Sequence, residues 1–259
     1  MNIFGILAVL SSIAVSFYYS PLLPQSVPSH WNIRGEIDAY MSKGVSLYFV
    51  PVILTIFYIL MTVLPHLDPK REKYPLFRKE WNIIQGLLMV FFLYLQILMF
   101  QVAVAPATNF LQWFFVGLGL FFMSMGNYLS KVRQNHFLGI KLPWTLESED
   151  NWNKTHRLAA WLFVAAGFVT ILEGFVFWFA PGVVFGGILL ASLLPMIYSF
   201  LLYKKMETKM PWVYGAILIL IIAAIFLRLL SGEDDWLCQN GKWVKHGNPS
   251  QPRPLGRCK

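Results

Sequence analysis

Residues 83–104 read IIQGLLMVFFLYLQILMFQVAV, twenty-two positions without a charged side chain. A bilayer core of about 30 Å takes roughly 20 apolar residues in a helix, so this stretch is long enough to cross one. Runs of the same kind recur on either side, at about 3–20, 45–65, 108–129, 157–179, 182–203 and 211–231. The composition agrees: 57% of the 259 residues are hydrophobic and 13% charged, and the mean hydropathy is +0.56. A soluble domain is nearer 25% charged. The expected fold is therefore an all-α integral membrane protein of about seven transmembrane helices. It is multi-pass in the cytoplasmic (inner) membrane, with membrane lipid as its first partner.

The net charge of +8 does not point to nucleic acid, because its placement follows membrane topology. Lys70, Arg71, Lys73, Arg78 and Lys79 follow span two. Lys131, Arg133, Lys141, Lys154 and Arg157 follow span four, and Lys204, Lys205 and Lys209 follow span six. The opposite loops hold only Arg34 and Lys43. The positive-inside rule puts the first three sets in the cytoplasm. The N-terminus is then cytoplasmic and the C-terminal tail extracytoplasmic, although that tail is itself basic. Span one lacks a basic leader and a small-residue cleavage site and reads as retained.

This divides the chain into a helical hairpin, 1–65, around an outer loop, 21–44, and a linker with the third span, 66–107. A core, 108–203, holds a cytoplasmic loop, 130–156; a seventh span, 204–231, and a tail, 232–259, follow. Both cysteines, Cys238 and Cys258, lie in the tail. Confinement to an exported segment suggests a disulfide, stabilising by on the order of 3 kcal/mol through closure of a loop of about 20 residues. Within the spans Glu173 and Arg228 lie equally deep, about 25 Å along their helices, and suggest an intramembrane ion pair. Gly182 and Gly186 form a GxxxG close-packing cue.

Two polar loops carry the candidate chemistry. The outer one, VPSHWNIRGEID (Val27–Asp38), offers His30, Trp31, Asn32 and Asp38. Its structural reading has Asp38 capping the return to span two, His30 and Asn32 satisfying backbone groups and Trp31 anchoring at the interface; ligand contact is the alternative. In the cytoplasmic loop the candidates for a ligand or partner are Asn127, Arg133, Asn135, His136, Trp144, Thr145, Trp152 and His156. Their simpler role is to cap helix ends and satisfy one another. The apolar run around Gly139, Pro143 and Trp144 should pack back onto the helix mouths. Ser148 caps the next helix, with Glu149 and Asp150 in its first turn. A four-three spacing turns Trp152, His156, Ala159, Phe163, Ala166, Thr170 and Glu173 to one inward face. No cofactor is indicated. No metal is either, since His136 and His156 lack a third ligand. No GxSxG, HExxH or phosphate loop occurs, so the chain leans away from being an enzyme. A membrane-embedded enzyme or small-solute carrier with a polar cytoplasm-facing site stays as the alternative.

The segment GNYLSKVRQNHFLGIKLPWTLESEDNWNKTHR (Gly126–Arg157) resembles the signature of the Sdp-type immunity proteins, named for resistance to a secreted sporulation-delaying peptide toxin. The matching positions are Asn127, Lys131, Arg133, Asn135, Phe137, Gly139, Ile140, Pro143, Trp144, Thr145, Leu146, Trp152, Thr155 and His156. Lys141-Leu142 departs from the family's Arg-Thr, keeping a charge and losing a hydroxyl. The outer loop resembles a companion domain of unknown function with the pattern His-Trp-Asn-x-x-Gly-x-x-Asp, here His30, Trp31, Asn32, Gly35 and Asp38. The resemblance implies a polytopic protein conferring immunity to a membrane-active peptide toxin. In one branch a cytoplasmic regulator is also held at the membrane, giving signal transduction.

Overall fold

A computed structural model describes residues 3–32, 34–176, 180–206, 235–239 and 242–246. The chain forms two compact units, Met1–Met206 and Glu207–Lys259. Within the first lie helices α1 (Ile3–Tyr19), α2 (Lys43–Leu67), α3 (Arg78–Val104), α4 (Phe110–Leu129), α5 (Pro143–Glu147), α6 (Glu149–Val176) and α7 (Ala180–Met206). A 3-10 segment, Arg71–Phe77, runs straight into α3. Five stretches are long and apolar enough to cross a membrane, namely Lys43–Leu67, Arg71–Val104, Phe110–Leu129, Glu149–Val176 and Gly182–Lys204. The first apolar helix, α1, is 17 residues long. The expected span at 211–231 and its Arg228 lie outside the described residues, as does Cys258.

The helices do not account for the whole fold. Residues expected to form an outer loop make an antiparallel hairpin, β1 (Ser26–Trp31) with β2 (Ile37–Ser42). A second hairpin, β3 (Asp235–Gln239) with β4 (Lys242–His246), holds Cys238 opposite Trp243 in the second unit. Pro28 is tolerated in β1 because the sheet has only two strands, each an edge.

Two devices join the helices. Along α1 the buried residues are Gly5, Ala8, Ser12 and Ser16, a small-residue stripe that admits α3. There Ser12 Oγ donates to Gln96 Oε1 at 2.6 Å, and Gln96 Nε2 returns bonds to Ser12 O and Ser16 Oγ. Ser16 Oγ also reaches Leu47 O on α2. Each such interhelical bond is worth on the order of 0.6 kcal/mol in a membrane. Between α4 and α6 glycines remove the side chain altogether. A Cβ at Gly119 would stand 2.5 Å from Gly167 O, and one at Gly126 would stand 2.7 Å from Ala160 O. The GxxxG cue at Gly182 and Gly186 marks no such contact: a Cβ at either meets nothing within 4 Å. Close approach is decided by which helices face each other, and α6 faces α4 through Gly167.

Candidate functional site

The hairpin presents its polar residues outward. His30 and Asp38 pair across the strands, Nδ1 to Oδ1, with side chains 68% and 44% exposed. Asp38 therefore does not cap the return to α2. Ser42 does, its side chain accepting from Val45 N–H. At the turn, Asn32 Oδ1 accepts from the backbone of Arg34 and of Glu36, while Gly35 takes φ +79°. Asn32 Nδ2 and Arg34 Nε both donate to Glu36, holding its carboxyl below the usual carboxylate range. So His30 and Asn32 serve side chains and an exposed turn rather than buried backbone. Trp31 stacks 3.7 Å from Phe110 at the start of α4, which ties the hairpin to that helix.

The second site is built where α2, the 3-10 segment and the mouths of α6 and α7 meet the loop after α4. Asn135 is fully buried, and its Oδ1 accepts from Phe137 and Leu138 N–H while Nδ2 donates to Arg133 O and Leu138 O. That Asx turn delivers the chain to Gly139, whose φ of +115° an L side chain adopts only with strain. The glycine lies directly against the His156 ring. His156, buried on α6, receives Ile140 N–H on Nε2 at 2.9 Å and directs Nδ1 to Trp152 O at 2.8 Å. These partners assign the neutral tautomer with the proton on Nδ1. The ring stacks 4.0 Å from Trp152, whose Nε1 donates to Val132 O.

Thr145 closes the next turn: Leu142 N–H donates to its hydroxyl, which donates to Ile140 O. Trp144 reaches α7, with Nε1 on Ser199 Oγ and its ring stacked on Tyr203. Asn151 Nδ2 donates to Ser199 O, and Asn151 N–H to Ser148 Oγ, the expected cap. Trp152, His156, Ala159, Ala166 and Thr170 are buried along α6, with Phe163 stacked on Phe122 of α4. Glu173 is half-buried on α6. Asn127 does not join the cluster; its amide donates to Met123 O of its own helix.

The group that gathers this loop is one that sequence reasoning misses. Asp68, 2% exposed, ends α2. Its Oδ2 accepts from His136 N–H and Tyr74 O–H, and its Oδ1 from Lys70 N–H and His136 Nδ1. Burial alone raises a carboxyl pKa, but these donors outweigh it and hold Asp68 below the usual carboxylate range. Beside it Lys70 Nζ donates to Gln134 Oε1 and Leu146 O, and Lys73 pairs with Glu149. Burial and then Lys73 lower the Lys70 pKa, partly opposed by Glu149, Asp68 and Glu72. In sequence Asp68 reads as one acid in a basic linker, and its only signal is its place at a helix end before Pro69. Among the described residues no three His, Cys, Asp or Glu side chains gather as for a metal.

This loop and the start of α7 fall inside residues 131–199, which match the SdpI/YfhL protein family. The hairpin, most of α1 and the first half of α2 fall in residues 7–55, which match a domain of unknown function, DUF1648. "Immunity protein SdpI" of Bacillus subtilis (strain 168) is 27% identical over 207 residues, covering 80% of this chain and 97% of that protein. No solved structure matches the chain. The SdpI/YfhL segment thus supplies the Asn135–His156 knot, while the partners Asp68 and Tyr74 come from outside it.

Proposed function

We propose that this is a membrane immunity protein that binds a secreted, membrane-active peptide and protects the cell carrying it. The observation that carries the proposal is the reach of the similarity, which takes in 97% of Immunity protein SdpI and both family segments. The hairpin, placed outside by the loop charges, is where such a peptide arrives first. Its exposed His30–Asp38 and Arg34–Glu36 pairs offer both charge signs. An apolar groove of about 420 Å³ between α1 and α2, lined by Ile13, Phe17, Leu47, Tyr48, Val52 and Ile56, opens beside it. The groove suits the apolar face of an amphipathic peptide. On the other side, exposed Lys131, Arg133 and Lys141 form a basic face suited to a cytoplasmic regulator.

An enzyme or carrier site needs reactive side chains open to a substrate, whereas Asn135, Thr145 and His156 are bonded to their neighbours, which supports the binding role. The test is expression in a peptide-sensitive bacterium. Survival should rise with the parent chain and fall back toward the unprotected level with His30→Ala/Asp38→Ala at equal membrane abundance. Unchanged killing with the parent chain counts against immunity to that peptide. Full protection by the double variant removes the hairpin from the binding surface.

A further inference from the structure

Away from both loops, a cavity of about 380 Å³ opens between the end of α2 and the 3-10 segment leading into α3. Its walls change character with depth. Met61 and Trp81 line the inner part, while His66, Arg71 and Arg78 line the mouth. Both arginines and the histidine are solvent-exposed. Among the described residues neither guanidinium is paired with a carboxylate. Leu67 and Leu76, close to them in sequence, are 65% and 70% exposed, apolar surface of the kind that acyl chains cover.

We propose that this cavity binds an anionic glycerophospholipid, its phosphate held by Arg71 and Arg78 and its glycerol and upper acyl carbons lying along Met61 and Trp81. Three features fit an anion there. Guanidinium forks match phosphate oxygens. The 3-10 segment starts at Arg71 and runs on into α3, so the positive end of that combined helix lies at Arg71 and favours negative charge. Two α2 carbonyls on the cavity side are occupied: Met61 O accepts from Trp81 Nε1, and Tyr58 O from Thr62 Oγ1 and Gln85 Nε2. Basic pockets between helices on the cytoplasmic side are where anionic headgroups lodge, and the Lys and Arg distribution puts this segment on that side.

The experiment is native mass spectrometry of the full detergent-purified chain titrated with phosphatidylglycerol, phosphatidylcholine or inorganic phosphate. Phosphatidylglycerol should be retained in preference to phosphatidylcholine, and Arg71→Gln/Arg78→Gln should weaken that retention roughly thirtyfold. Thr62→Phe, which fills the cavity without changing charge, should weaken it as well. Equal retention by the arginine variant overturns the site. An equal loss with Lys131→Gln/Lys141→Gln, which removes charge elsewhere on the same face, also overturns it by reducing the effect to bulk charge. Inorganic phosphate binding as tightly as the lipid overturns the lipid as occupant.

Discussion

Asp68→Ala lowers the melting temperature of the purified protein by on the order of 10 °C. The reason is the number of donors left behind. Four of them, from Lys70, Tyr74 and His136, point at one buried carboxylate. Removing one side of a buried, charge-assisted arrangement costs about 3–5 kcal/mol because the other side stays desolvated and unpaired. For a chain of this size each kcal/mol moves the midpoint by roughly 2–4 °C. Asp68→Asn should fall in between, since the amide keeps an acceptor but turns an N–H toward donors. The pH dependence has a definite sign. The folded-state pKa is depressed below the ordinary 3.8, so this contribution is complete above that value. It is lost as pH falls through the folded-state value, and the gap between parent and Asp68→Ala should close only there. Melting curves from neutral pH down to about pH 3 check both points. A melt of Asp68→Ala within a degree or so of the parent at neutral pH removes Asp68 as the organising group.

Gly139→Ala is the second large effect, and it is local. A residue held at φ +115° without being glycine carries on the order of 1–3 kcal/mol of strain. The added methyl also meets the His156 ring, with Trp152 Cη2 behind it at 3.1 Å. The ring has no room to retreat without releasing Ile140 N–H, a buried bond worth about 1 kcal/mol. Hydrogen exchange should therefore quicken at Ile140 and across residues 137–146, while the β1–β2 hairpin keeps the parent's pattern. Gly35→Ala serves as the control. Its φ of +79° is also positive, but its Cβ meets the side chain of Leu111, which can turn aside. Unchanged exchange at Ile140 in Gly139→Ala would mean that the close fit of glycine to His156 does not hold the loop.

Much of the site is legible in the amino-acid sequence. The inward stripe on α6, from Trp152 through Thr170, follows from helical spacing, because residues three and four apart share a face. The Ser148 cap follows from a hydroxyl placed just before two acids. The return of the NHFLGIKLPW loop onto the helix mouths follows from its apolar content, as free loops do not carry Phe, Leu, Ile and Trp together. The hairpin is only half legible: Pro21, Pro24 and Pro28 favour extended backbone and resist helix, but nothing in them names a pairing partner. An isolated two-stranded ribbon tolerates what a central strand does not, and Trp31 on Phe110 supplies the packing that the short ribbon lacks.

What could be read from the sequence alone was five apolar stretches long enough to cross a membrane and the inward face of α6. Transfer of a side chain from water to lipid is a property of that residue alone, and it adds up along a segment. Pairing, by contrast, is settled only once the helices have packed. Asp68 and His136 are 68 residues apart, and nothing in either neighbourhood names the other. Gly119 and Gly167 could each have faced lipid. A buried hydrogen bond or a backbone contact is a property of two groups at once, and it exists only after the helices have chosen their neighbours.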